Sequence, residues 1–279
     1  MDIRQKILQA ATALVLAAAI AVVGCAAAAG TGASLAADGT QKQKKKAKVD
    51  EEKDPRAQFE RGVVALRYGL TDEAIRYGQL AVSLDANFFD GWSLLGSAYY
   101  NKGEFARSAE AYEKAASIKP AAPGIERGLG LAYMELQEFE KAEAALKKAL
   151  AAEGDPESAY QLGKLCYNGK RYEEALAYAL TAIQKDAKSA KAYNLKGVVL
   201  NQLGRYPEAA GSFQAGLVLV PEDIGLHVNL GIAYLNANEP AKAKAVFEAV
   251  LPKIEAGPLK AQVEAYLKSI KDADSLTYS

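Results

Sequence analysis

The sequence has very few of the side chains that build metal clusters or disulfide frameworks. It contains one histidine, His227, and two cysteines, Cys25 and Cys166, in 279 residues. Zinc sites need several such ligands at short spacing, and disulfide frameworks need several cysteine pairs. An excess of one charge is also lacking, because Lys plus Arg and Asp plus Glu both number 34. We therefore expect no metal, no other cofactor and no nucleic-acid partner.

The N-terminus carries the pattern of a secretory signal over residues 1–24. A short basic region precedes an apolar run from Ile7 to Val23, which at 17 residues is short for a membrane span. The run ends at Gly24 and Cys25, and a small residue followed by cysteine resembles the lipobox of bacterial lipoproteins. That resemblance implies cleavage before Cys25 and acylation of Cys25, which would hold the protein on a membrane. Cleavage in the Ala-rich stretch after Cys25 and an uncleaved anchor remain the alternatives.

Residues 25–54 predict a disordered tether that starts at the lipidated Cys25. Small and polar residues dominate at first, and the basic run Lys42–Lys48 follows, so there is little apolar surface to bury. The basic run is compatible with contact to anionic lipid and with a solvated spacer. Ala26 stands where the enteric sorting rule places Asp in lipoproteins of the inner membrane. The resemblance therefore implies a lipid-anchored protein of the cell envelope, on the outer membrane facing the periplasm.

The rest of the chain repeats a single glycine at nearly constant spacing. Six glycines, which we call the signature glycines, are separated by 34, 34, 33, 34 and 34 residues: Gly62, Gly96, Gly130, Gly163, Gly197 and Gly231. A small residue follows each of them twelve positions later: Ala74, Ser108, Ala142, Ala175, Ala209 and Ala243. Small residues at fixed positions indicate that helix backbones approach each other closely.

The most complete copy lies between Trp92 and Pro120. It reads Trp-x2-Leu-Gly-x2-Tyr from Trp92 to Tyr99, followed by a small residue, an aromatic and a proline. This pattern resembles the tetratricopeptide repeat, and the resemblance implies two antiparallel helices per copy. The expected fold is all-α, a right-handed α-solenoid of six such hairpins with a C-terminal capping helix. The expected repeats are residues 55–88, 89–122, 123–155, 156–189, 190–223 and 224–257, followed by a capping helix over 258–271 and a disordered tail over 272–279.

Two residues with reactive side chains lie at repeat positions that normally pack. His227 occupies the position of Trp92 in its own copy and has no cluster of Cys, Asp or Glu beside it, which favours a packed structural histidine. Cys166 replaces the core tyrosine of its copy, which favours a small buried hydrophobe. We therefore expect that the chain is not an enzyme.

A groove along the first helices is the remaining candidate for a functional surface. In tetratricopeptide arrays these helices line a concave face that binds peptide segments, and positions one, four and five after each signature glycine should face it. An apolar and aromatic stripe flanked by amides is expected there, and such a stripe suits a protein partner. The alternative is that the same side chains only pack between neighbouring first helices. The predicted groove residues are Val63, Leu66, Arg67, Ser97, Tyr100, Asn101, Leu131, Met134, Glu135, Lys164, Tyr167, Asn168, Val198, Asn201, Gln202, Ile232, Leu235 and Asn236.

Two classes of function are weighed on this basis. A lipobox followed by six copies resembles the pilotin lipoproteins that help type IV pilus secretins assemble in the outer membrane. Scaffolds of exopolysaccharide secretion and adaptors for periplasmic proteases or peptidoglycan enzymes have similar layouts. The other class, an enzyme or small-ligand site in the groove, lacks an acid–base pair, because its charges are the scattered Arg67, Glu135 and Lys164.

Overall fold

The computed structural model describes residues 52–120, 122 and 124–277. The signal segment, Cys25 and all of the predicted tether up to residue 51 lie outside the described residues, so these predictions are not tested here. Within the described part, thirteen α-helices and one 3-10 helix follow each other and there is no strand. None of the helices in this part is both long and apolar enough to cross a membrane.

The helices form six consecutive pairs. The two helices of each pair pack on each other, and in the first five pairs the second helix also packs on the first helix of the next pair. The pairs are α1 (Pro55–Arg67) with α2 (Thr71–Leu84), α3 (Phe89–Lys102) with α4 (Phe105–Ile118), α5 (Ile125–Glu135) with α6 (Phe139–Glu153), α7 (Pro156–Asn168) with α8 (Tyr172–Lys185), α9 (Ala190–Gln202) with α10 (Tyr206–Leu219), and α11 (Ile224–Asn236) with α12 (Pro240–Val250). The 3-10 helix Leu251–Lys253 and the last helix, α13 (Pro258–Thr277), follow.

All six hairpin turns end the first helix in the same way. The residue seven after each signature glycine has a positive φ between 58° and 80°: Gly69, Gly103, Gln137, Lys170, Gly204 and Asn238. The next backbone N–H donates to the carbonyl five residues earlier, as from Arg171 to Cys166 O at 2.8 Å. This is the Schellman arrangement, which satisfies carbonyls at the end of a helix. Three of the six positions are not glycine, so the sequence alone did not reveal the motif.

The signature glycines lie where a neighbouring side chain leaves no room for a Cβ. A Cβ built on Gly197 would be 2.5 Å from Phe213, which belongs to the second helix of the same pair. In the first pair the equivalent position holds Gly78, which is too small to fill the space. There a Cβ on Gly62 would be 2.3 Å from Leu94, which belongs to the next pair. A Cβ would be crowded in both settings, as predicted, although the neighbouring side chain that crowds it differs.

The last helix caps the array and is longer than we predicted. Val263 and Ile270 are buried, and the Tyr266 ring stacks on Phe247 with centroids 5.3 Å apart. The helix continues through Thr277, whereas we expected a boundary at 271 and a disordered tail from 272. Residues 272–277 contain neither Gly nor Pro, and extending an existing helix needs no new nucleus. The helix therefore continues seven residues past the buried Ile270.

Candidate functional site

The predicted groove residues fall into two classes of exposure that repeat in every pair. All twelve residues at positions one and four after a signature glycine are half-buried, and all six at position five are exposed. We call the half-buried set the inner stripe, and it runs along α1, α3, α5, α7, α9 and α11. Its members are Val63, Leu66, Ser97, Tyr100, Leu131, Met134, Lys164, Tyr167, Val198, Asn201, Ile232 and Leu235. The exposed flank is Arg67, Asn101, Glu135, Asn168, Gln202 and Asn236.

The aromatic members of the inner stripe are held in place by rings of the second helices. Tyr100 meets Phe105 edge-on with centroids 5.4 Å apart, and Tyr167 meets Tyr172 at 5.8 Å. Such contacts fix a ring while leaving its other face available. Burial raises the pKa of Tyr100, and the nearby carboxylate of Glu135 raises it further. The Tyr100 hydroxyl is therefore neutral and able to donate a hydrogen bond.

Two lysine side chains near the stripe lie against the same aromatic ring. Lys164 and Lys191 both approach the ring of Tyr160, at 5.8 Å and 4.9 Å from its centroid. Lys191 is also paired with Glu157 of the preceding repeat. No set of three or more His, Cys, Asp or Glu placed to hold a metal ion occurs within the described residues.

Two pairs of asparagines join α9 to α11. The Asn229 amide donates to Asn194 Oδ1 at 2.9 Å, and the Asn236 amide donates to Asn201 Oδ1 at 3.4 Å. We call these the amide pairs. Asn201 and Asn236 are among the predicted groove residues, whereas Asn194 and Asn229 are not. The signal was present, because each helix carries two asparagines seven residues apart on one helical face.

The single histidine contacts a backbone carbonyl. His227 Nε2 lies 2.8 Å from Pro221 O, the carbonyl six residues earlier. Trp92 and Gln58, at the same repeat position, donate to the carbonyls of Ala86 and Glu52, also six residues earlier. His227 is half-buried and therefore less packed than we predicted, because its ring reaches the turn before α11.

Cys166 lies in the core of the fourth pair, as predicted. Its side chain is fully buried, and burial raises the pKa of the thiol.

Two shallow cavities of the described surface lie away from the inner stripe. One, of about 240 Å³, is bordered by α10 and the last hairpin turn and includes Gly211 and Tyr234. The other, of about 430 Å³, lies between the start of α11 and the start of α13 and includes Ile224 and Leu259. Neither contains a residue of the stripe, which is an open surface along the helices.

Two curated relatives share the repeats at low identity. The chain is 25% identical over 191 residues to anaphase-promoting complex subunit cut9 of Schizosaccharomyces pombe, covering 65% of this chain and 28% of that protein. It is 26% identical over 187 residues to a TPR repeat-containing protein of Methanocaldococcus jannaschii, covering 63% of this chain and 33% of that protein. The match thus spans a third or less of the relatives' own length.

Solved structures share the fold. The Cut9–Hcn1 hetero-tetramer matches with a TM-score of 0.62 and 21% identity over 78% of this chain and 43% of that one. Pseudomonas aeruginosa pilF matches with a TM-score of 0.58 and 20% identity over 68% of this chain and 87% of that one. YrrB, described as a TPR protein with an unusual peptide-binding site, matches with a TM-score of 0.55 and 20% identity over 63% of this chain and 91% of that one.

Family models agree with these likenesses and with the helix pairs. Tetratricopeptide repeat models match residues 89–122, 127–190 and 171–224. The matched segments cover the second to fifth helix pairs, and the first and last pairs have the same turns and the same close-packed glycines. Residues 89–122 and 127–224 therefore match tetratricopeptide repeats, and the described chain has the tetratricopeptide solenoid fold.

Proposed function

We propose that this chain is a membrane-tethered scaffold that binds a segment of a protein partner along the inner stripe and thereby assembles or positions a machine of the cell envelope. The observation that carries the proposal is the stripe itself, in which half-buried side chains alternate with an exposed polar flank on six successive first helices. Apolar surface that stays accessible on one face of a repeat array is characteristic of a binding surface. The role we propose is not catalytic.

The anchor in this proposal is Cys25. Its position after a short apolar run and a small residue supports lipidation, and two or more acyl chains would hold the protein firmly on a membrane. Lipidation, in turn, favours a partner in the cell envelope. Outer-membrane placement rests on Ala26 and on the sorting rule stated above.

The test of the groove is partner capture from cell envelopes by crosslinking. We expect Tyr100→Glu combined with Tyr167→Glu to reduce capture at least tenfold with little loss of helicity, because a buried carboxylate opposes an apolar contact. Tyr206→Glu is the matched control, since Tyr206 is also half-buried but starts a second helix. Equal capture of the partner by the double variant and the wild type would refute the hypothesis that the inner stripe binds the partner.

The finer proposal is that the machine is a pilus or secretion secretin. A lipid anchor followed by a tetratricopeptide array supports it, whereas the likeness to pilF at 20% identity supports the fold alone. Deletion of the protein should then leave secretin monomers in place of heat-resistant multimers on gels of envelope extracts. Normal multimers would contradict the secretin role and favour a scaffold of exopolysaccharide secretion or an adaptor for periplasmic enzymes. The identity of the captured partner would distinguish these two alternatives.

A further inference from the structure

The first helix pair exposes a position that every later pair buries. The residue two after the signature glycine packs on the preceding pair, as does Val199, which clusters with Cys166 and Ala179 of the fourth pair. In pairs two to six this residue is at most 5% exposed: Ala98, Ala132, Leu165, Val199 and Ala233. Val64 stands at the same position of α1 and is 38% exposed. The side of α1 that a preceding pair would cover is therefore open.

Further apolar side chains continue this open side. Tyr68, one turn further along the chain, is 61% exposed. On α2 the same side is marked by Tyr77, because its counterpart one pair later, Ala111, is buried in a cluster with residues of the first pair. Leu80 and Leu84 follow Tyr77 at helical spacing and are exposed as well. We call the whole set the N-terminal face: Val64, Tyr68, Tyr77, Leu80 and Leu84.

The opposite end of the array is closed by a polar surface. The last helix, α13, buries Val263 and Ile270, and its exposed positions include Gln262, Glu264 and Lys268. A repeat array needs such a polar outer surface at its ends to stay soluble. The N-terminal face is apolar instead. A head-to-tail stack of copies would place α13 on this face, where polar side chains would lose water without gaining hydrogen bonds.

The chain just before α1 has little apolar surface with which to cover the N-terminal face. Between Cys25 and Glu52 the large apolar side chains are Leu35 and Val49 alone. A helix that packs on another needs an apolar stripe of three to four residues in every two turns. The apolar run before Cys25 is assigned to export in the function proposed above. The occupant of the face must therefore be another molecule.

The charges around the N-terminal face favour a second copy over a lipid surface. α1 and α2 contain four arginines, three carboxylates and no lysine. The Arg76 guanidinium lies 4.3 Å from the centroid of the Tyr77 ring, and Glu73 precedes Tyr77 by one turn. Anionic lipid attracts clusters of basic residues, whereas this face mixes both signs. In a two-fold contact, acidic and basic groups of one face can pair with those of the same face on the other copy.

We propose that the N-terminal face binds the N-terminal face of a second copy of this chain in a two-fold symmetric contact. This inference goes beyond the function proposed above, because the inner stripe takes no part in it. A standard interface involves about 20–30 residues a side, so this smaller contact is weak between freely diffusing copies. Anchoring of both copies in one membrane raises their effective concentration and favours the dimer. The dimer then presents two inner stripes to one machine.

The first test is crosslinking of the full chain in intact cells with a bismaleimide. Single cysteines replace Val64, Tyr68, Leu80 or Leu84, and the position nearest the two-fold axis should give a product of twice the chain's mass. Val218→Cys is the matched control, because Val218 is 81% exposed but lies on α10, and it should give no such product. The wild type is the blank, since Cys166 is buried. Absence of the product at all four positions would overturn the proposal.

The second test is co-capture of two differently tagged copies from the same cells. Val64→Asp combined with Leu80→Asp in both copies should reduce co-capture about tenfold or more, because carboxylates would be buried in the contact. The thermal midpoint should hardly change, since both side chains are exposed. Val218→Asp is the control and should leave co-capture as in the wild type. Equal co-capture by the double variant and the wild type would contradict the two-fold contact.

Three other outcomes would assign the face or the contact elsewhere, and each would overturn the proposal. A crosslinked product of another mass would identify a different protein as the occupant. A Tyr68→Cys side chain that reacts with maleimide only after detergent dissolves the membrane would identify lipid. Loss of co-capture in the Tyr100→Glu, Tyr167→Glu variant would show that the copies are joined through a partner in the inner stripe. We expect that variant to dimerise normally even though it fails to capture the partner.

Discussion

Gly197 and Gly211 show how differently two glycines of one hairpin are used. Both lie inside helices, where glycine is less favourable than alanine by about 1 kcal/mol. A Cβ on Gly197 would meet the Phe213 ring at 2.5 Å, whereas a Cβ on Gly211 would meet nothing within 4 Å. At Gly197 the close contact outweighs the higher helix propensity of alanine. At Gly211 no contact opposes the replacement of glycine by alanine.

We therefore expect alanine substitutions at these two positions to have opposite effects on stability. Gly197→Ala should lower the free energy of unfolding by about 1–3 kcal/mol, since overpacking forces Phe213 or the backbone to move. Gly211→Ala should raise it by up to about 1 kcal/mol. Urea unfolding followed by circular dichroism measures both, and a Gly197→Ala protein as stable as wild type would contradict the packing argument.

Much of this residue-scale pattern could be predicted from the sequence. Constant spacing identified the signature glycines, because every copy meets the same steric requirement. The sequence could not tell that Phe213 fills the space at Gly197 whereas Leu94 of the next pair fills it at Gly62. That difference depends on which of two nearby positions carries a large side chain, and on contacts between residues about 16 or 32 positions apart.

At the scale of elements, junctions between pairs are joined by polar contacts that vary along the array. Tyr133 of α5 donates to the carboxylate of Glu113 on α4, and tyrosines at the same position accept bonds from Gln79 and Gln214 at two other junctions. Cys166 takes the place of the tyrosine at the junction of the third and fourth pairs. There Arg171 donates instead to both oxygens of Glu143, at 2.6 Å and 3.3 Å.

The Glu143 pair predicts a dependence of stability on pH. Hydrogen bonds from Arg171, and then from Lys147, lower the pKa of Glu143 from 4.5 to about 2. A group with a lowered folded-state pKa stabilises the fold above its unfolded pKa, and this stabilisation is lost as pH falls through the folded value. The contribution should therefore be complete near pH 5 and decline towards pH 2.

The measurement compares urea unfolding at pH 5 and pH 3 in two variants. Glu143→Gln should cost about 1 kcal/mol at pH 5 and less at pH 3, because the stabilisation by the ionised carboxylate declines once the pH is below the unfolded pKa. Glu140→Gln, at an exposed position of the same helix, should leave the difference between the two pH values as in the wild type. An equal cost of Glu143→Gln at both pH values would contradict the assignment.

At the scale of the whole molecule, the proposed attachment to a membrane depends on Cys25, which lies outside the described part. We expect Cys25→Ser to move the protein from the membrane pellet to the soluble fraction of fractionated cells, since the serine cannot take the thioether-linked lipid. A variant that remains in the pellet would identify the apolar segment as an uncleaved anchor. Arg171→Lys is a suitable control, because it lies far along the chain in the array and should leave fractionation unchanged.

The sequence by itself determined the number of pairs, the positions of their helices and the small residues that let them close. These features are periodic, and a periodic pattern can be recognised from the amino-acid sequence alone. Only the tertiary structure decided that three hairpin turns adopt the left-handed conformation without glycine, and that Asn194 meets Asn229 and Asn201 meets Asn236. These contacts join residues 35 positions apart on two helices, so they depend on how one pair stacks on the next. No single copy of the repeat specifies that stacking.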